Sequence, residues 1–152
     1  MLGERKPFRF LNNANYWAKQ AQLSPNGDYI AYSSTETSTN QVYVETFPEH
    51  RGKWQISTDG GFQPQWRADG KELFYLTGAK MASVAVSTAS GEFQAGIPQP
   101  LFDTPELPGS SSYRNSYIVS RDGQRFLLTA SPRETTSTFE VLVNWPGLLR
   151  RK

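Results

Sequence analysis

One short turn recurs three times in this chain, and its spacing sets the size of the unit the chain can build. The three segments are Gln22-Leu23-Ser24-Pro25-Asn26-Gly27-Asp28-Tyr29-Ile30-Ala31-Tyr32, Gln65-Trp66-Arg67-Ala68-Asp69-Gly70-Lys71-Glu72-Leu73-Phe74-Tyr75 and Ile118-Val119-Ser120-Arg121-Asp122-Gly123-Gln124-Arg125-Phe126-Leu127-Leu128. In each, a polar turn ending in Asn-Gly or Asp-Gly leads into an apolar run. Asn26, Asp69 and Asp122 suit the turn because their short side chains bond their own backbone. Gly27, Gly70 and Gly123 suit it because positive φ carries no Cβ penalty there. Each motif therefore predicts a hairpin. The turn glycines lie 43 and 53 residues apart, the length of a four-stranded propeller blade.

The intervening residues supply the remaining strands. Gln41 to Phe47 and Lys53 to Thr58 give the third and fourth strands of a first blade. Met81 to Ser87 and a segment near Pro100–Asp103 do the same for a second, and Phe139 to Trp145 gives a third strand to the last. The expected fold is all-β, with blades over 18–58, 61–104 and 113–145 in one domain over 1–152. The orphan segment Pro7-Phe8-Arg9-Phe10-Leu11 is expected to be the outer strand that completes a blade.

These residues carry a resemblance. The chain resembles the WD-repeat-like blades of the TolB-like propeller family, and most of all the propeller region at the C-terminal end of bacterial serine/threonine protein kinases. The family's Ser-Pro-Asp-Gly turn stands here as Ser24-Pro25-Asn26-Gly27, Arg67-Ala68-Asp69-Gly70 and Ser120-Arg121-Asp122-Gly123. Gln41-Val42-Tyr43-Val44, Trp54 to Gly61, Pro100-Leu101-Phe102 and Asn144-Trp145 extend the likeness. The kinase parts are missing: the sequence has neither a Gly-rich phosphate loop nor a His-Arg-Asp loop.

Propellers close with four to eight blades. Three blades leave two faces uncovered, and exposed apolar faces mark interaction sites. The expectation is a homodimer that closes a six-bladed ring by two-fold symmetry, each N-terminal strand completing its partner's last blade. The alternative is a fragment of a larger sensor-kinase type of protein.

Catalytic chemistry is sparse. Cysteine is absent, and the one histidine, His50, lies in Pro48-Glu49-His50-Arg51-Gly52, which reads as a solvated loop. The turn aspartates read as structural, with no paired acid and base, and no calcium loop is present. Neither a cofactor nor a metal is expected. The net charge is +2 and the basic residues are dispersed, which argues against a nucleic-acid surface. The Arg150-Arg151-Lys152 end reads as solvated. The N-terminus does not read as a signal peptide, and no run is apolar enough to insert in a membrane; a soluble chain is expected.

What remains is a binding or scaffolding role toward a protein or peptide, with a propeller hydrolase or lyase as a further alternative. Aligning the three hairpins makes Lys19, Phe62 and Asn115 equivalent, followed by Gln20, Gln63 and Ser116. These residues, with Tyr113 and Arg114, are expected to ring one mouth of a channel. Trp54, Trp66 and Trp145 are expected between blades. Trp17, beside Tyr16, is the strongest candidate for an exposed aromatic, although core packing is the commoner fate of such a residue.

Overall fold

The structure, a computed structural model, describes residues 6–11, 15–105 and 115–130 and the backbone of 139–143. Among the described residues all regular structure is strand. β1 (Ala18–Leu23), β2 (Tyr29–Ser34), β3 (Gln41–Thr46) and β4 (Lys53–Gln55) form an antiparallel blade in sequence order. β5 (Phe62–Trp66), β6 (Glu72–Thr77) and β7 (Lys80–Ser87) begin the second. Its outer edge is shared: β9 (Gln99–Asp103) pairs with β7 at Lys80–Ser83, and the two-residue β8 (Gln94–Ala95) pairs at Val86 and Ser87. β10 (Tyr117–Val119), β11 (Arg125–Thr129) and β12 (Phe139–Val143) make a three-stranded third blade.

Side-chain alternation then stacks the blades. Along β6, Leu73 and Tyr75 enter a cluster with Ala31, Val42, Val44 and Ile56 of the first blade. The intervening Phe74 and Leu76 enter a second cluster with Tyr117, Phe126 and Leu128 of the third. A strand buried on both faces needs apolar residues at every position, which is why Glu72–Thr77 reads as a nearly unbroken apolar run. Burying a side chain such as Phe74 contributes roughly 2–3 kcal/mol. Trp66 is buried in the first cluster and donates its indole N–H to the Gln22 carbonyl at 3.3 Å. Trp54 is half-buried against the same cluster, its ring 4.6 Å from that of Phe93.

The hairpin turns take the expected form. Gly27, Gly70 and Gly123 have φ of 81°, 71° and 73°. Asn26, Asp69 and Asp122 each accept from the backbone two residues on. Gly123 is also a close approach, since a Cβ there would meet Arg67 Cδ at 2.8 Å and Phe74 Cζ at 3.1 Å.

Residues 7–11 pair with no described strand of this chain; the expected pairing is with the last blade of a partner copy. Phe8 and Phe10 lay their rings on Phe47, and Phe10 stacks on His50 at 4.2 Å. One expectation changes: the outward face of the first blade is not an apolar slab. Tyr32 follows its turn glycine at the interval at which Tyr75 and Leu128 follow theirs, and those two are buried between blades. Around Tyr32 stand Tyr43, Glu45 and Lys53, so this face is aromatic and charged. The far face of the third blade does show an apolar residue, Ile118, 58% exposed. Trp145 lies outside the described residues.

Candidate binding site at the leading ends of the inner strands

The inner strands β1 and β5 share an irregularity that decides what several predicted residues do. Their pairing slips between Lys19 and Gln22 and between Phe62 and Gln65. At the slip, Gln20 and Gln63 adopt φ of 58° and 57°. A left-handed conformation is unfavourable for a residue with a Cβ and persists where surroundings over-determine it. Here the surroundings are the next blade. Gln20 Oε1 accepts from the Gln63 backbone N–H at 3.0 Å. One blade on, Gln63 Oε1 accepts from the Ser116 backbone N–H, and Gln63 Nε2 donates to Ser116 Oγ at 3.1 Å. The Tyr117 hydroxyl donates to the Gln63 carbonyl at 2.8 Å. Gln65 adds a second bridge, donating to the Tyr117 carbonyl and accepting from Val119 N–H.

Equivalent glutamines thus reach the equivalent N–H of the following blade, and a bulge is what aims them there. Gln63 is fully buried, with its amide committed to the third blade. It is a staple between blades and not a residue of an open rim, and Gln20 carries the same role one blade earlier.

The other rim residues lie at the surface. Lys19 and Phe62 come together in a groove of about 370 Å³ with Thr35, Asn40 and Gly60. Lys19 also borders a second groove, of about 430 Å³, with Leu11, Tyr16, Trp17 and Tyr32. Trp17 is 70% exposed, against its commoner fate as a core residue. Its backbone is pinned, exchanging hydrogen bonds with Thr35 at 3.1 Å, so the ring stands in water on a fixed base. Asn115 is exposed. Tyr113 and Arg114 lie outside the described residues.

The flank of the second groove carries residues that no sequence pattern singles out. The Tyr32 hydroxyl donates to Glu45 Oε2 at 3.0 Å. Burial first, and then the Glu45 charge, hold the Tyr32 phenol well above its ordinary range. His50 is not simply a solvated loop residue: its Nδ1 lies 2.5 Å from Glu45 Oε1, with the carboxylate side chain only 9% exposed. Tyr32 and Tyr43 are directly opposed on β2 and β3, a pairing readable only once the register is known. Among the described residues no three His, Asp or Glu side chains stand together as a metal site.

At the other end of the blades, the turns form two further clefts. One, of about 440 Å³, is lined by Asn26, Tyr29, Trp66 and Asp69. The other lies between Arg67, Asp69, Arg121 and Asp122. Arg67 holds Asp69 with two hydrogen bonds and Glu72 with a third, so the charges of Arg67, Asp69 and Glu72 are engaged with one another.

Antiparallel sheets stacked face to face as blades are the arrangement found in propellers. The chain superposes on TolB from Acinetobacter baumannii with a TM-score of 0.58 and 16% identity, over 82% of this chain and 29% of that one. It superposes on an oligogalacturonate lyase from Vibrio parahaemolyticus with a TM-score of 0.55 and 12% identity, over 77% of this chain and 31% of that one. A TolB-like protein from Agrobacterium tumefaciens gives 0.53 and 11%, over 90% and 48%. The fold is a TolB-like propeller. No family model matches the chain, and no curated protein matches it in sequence. This propeller segment spans between 29% and 48% of the three neighbours' lengths. No helix among the described residues is long and apolar enough to cross a membrane.

Proposed function

We propose that this propeller segment is a non-catalytic binding module that takes a peptide or an extended protein segment across the two grooves meeting at Lys19. The observation that carries the reading is Trp17. An indole left 70% exposed on a pinned backbone is a ready anchor, and tryptophans of this kind dominate binding energy at interfaces. Lys19 between the grooves adds a charge that orients a polar ligand. A library of immobilised random decapeptides tests it. Binders are expected, and Trp17→Ala and Lys19→Ala should weaken them, the former by about tenfold or more. Failure to recover binders, or binders indifferent to both substitutions, contradicts the reading.

The fraction of each neighbour that the chain spans favours a second reading, in which further blades complete a ring. They come from a second copy of this chain or from a larger protein, such as one with a kinase of the type the sequence resembles. Light scattering separates the two: a ring of two copies gives twice 17.1 kDa, and a chain that needs another protein's blades gives the single mass.

A further inference from the structure

The groove between the first two blades holds a polar group that the fold leaves unused. Both walls lie within the chain: Lys19, Thr35 and Asn40 come from the first blade, Phe62 and Gly78 from the second, and the groove is about 370 Å³. Asn40 stands in the loop between β2 and β3. Its backbone carbonyl accepts from the Gly61 N–H at 2.8 Å, which ties that loop to the residues entering β5. Its side-chain oxygen Oδ1 is shut from water and has no hydrogen-bond partner. Buried acceptors are nearly always paired, so an open one on a groove wall points to a donor that a ligand brings. The last torsion of Asn is broad, and a turn of the amide presents the oxygen to the groove. Three further features describe that ligand. The Phe62 ring is half-buried against the second core cluster and gives the groove an apolar floor. Gly60, Gly61 and Gly78 leave stretches of its wall without side chains. Lys19 supplies a cation.

We infer that this groove captures the C-terminal residue of a peptide: Asn40 Oδ1 accepts its backbone N–H, Lys19 pairs with its carboxylate, and its side chain lies on Phe62. The inference rests on the peptide-binding reading above and names the part of the peptide that enters the groove. An N–H donor and an anion flank one Cα in a peptide only at its last residue. Capture of chain ends is a recurrent mode of peptide recognition. The size agrees, since ligand sites run from about 300 to 1,000 Å³ and a groove of about 370 Å³ suits a chain end better than a long run of chain. The flexible lysine stem lets the ammonium follow the carboxylate, and a charge-assisted bond is stronger than a neutral one. The peptide enters past Trp17 and ends over Phe62.

Random decapeptides anchored by their N-termini, made both as free acids and as C-terminal carboxamides, test the inference on the whole chain. Free acids should dominate the binders, and calorimetry in solution should find the carboxamide form of each binder about tenfold weaker. Lys19→Gln should erase the difference between the two forms, since a coupling vanishes when either partner is removed. Asn40→Ala should weaken the free acids by about tenfold yet leave the thermal midpoint unchanged or higher, because it deletes an acceptor that the unliganded chain leaves unpaired. Asn40→Asp keeps the shape and sets a second carboxylate against the ligand's, so it should weaken free acids more than carboxamides; this readout holds should the alanine change unsettle the loop. Binders indifferent to amidation overturn the inference, as do carboxamides ending in Asp or Glu that bind as tightly as the free acids. Free acids that bind both Asn40 variants at full affinity overturn it too. These results leave the Trp17 reading standing wherever Trp17→Ala still weakens the binders, whereas a chain that recovers no decapeptide in either form overturns both.

Discussion

Asp69 shows how a single turn residue ties sequence to stability. Its carboxylate receives two hydrogen bonds from Arg67 and one from the Lys71 backbone. Arg67 first, and then Lys71, bring its pKa down from 3.8 to about 2. A carboxylate whose folded pKa is depressed stabilises the fold above its unfolded pKa and loses that contribution as pH falls through the folded value. The window therefore runs from the ordinary value of 3.8 down to about 2. Asp69 is 46% exposed, so solvent screening limits its contribution to about 1 kcal/mol or less. Urea midpoints taken from about pH 5 to about pH 2 should fall across that window, and Asp69→Asn should lower the midpoint at the upper end while flattening the decline. An unchanged slope in the variant would show that other carboxylates govern acid sensitivity. The role of this residue is legible in the sequence by itself: Asp before Gly in a repeated turn has few other uses. That of Gln63 is not. Nothing in the string separates a glutamine that faces a channel from one that turns back into the next blade, because the difference lies in a left-handed φ imposed by the strand slip.

At the level of strands, period and turn chemistry are enough to place the hairpins and the third strands. They fail where pairing is short or borrowed. Gln94–Ala95 joins β7 through two residues, too few to leave a pattern. Residues 7–11 have the composition of a strand, and their aromatic rings meet Phe47 and His50 within the chain. The first blade's outward face misleads for a related reason. Tyr32 and Tyr43 have the aromatic bulk of core residues, and both are buried. Their hydroxyls meet Glu45 and Thr37, so the surface they build carries hydroxyls and a carboxylate among its rings.

For the molecule as a whole, the order and manner of blade stacking set which surfaces are formed. The groove that joins Lys19 to Phe62 exists only because β1 and β5 lie side by side. Side-chain glutamines, and not regular strand pairing, satisfy the inner-strand N–H groups of the next blade. That makes two amides reporters of the stack. Gln63 N–H is held by Gln20 and by Ser33 Oγ, and Ser116 N–H by the Gln63 side chain. Buried and bonded amides exchange slowly with solvent. Hydrogen exchange read by NMR should find both protected in the unaltered chain. Gln63→Ala should speed exchange at Ser116 by about tenfold or more while sparing the Phe74 and Val84 amides inside the second blade, since removing one partner of a buried bond costs about 1–3 kcal/mol locally. Ser116 exchanging at the same rate with and without the Gln63 side chain would contradict the stapled stack.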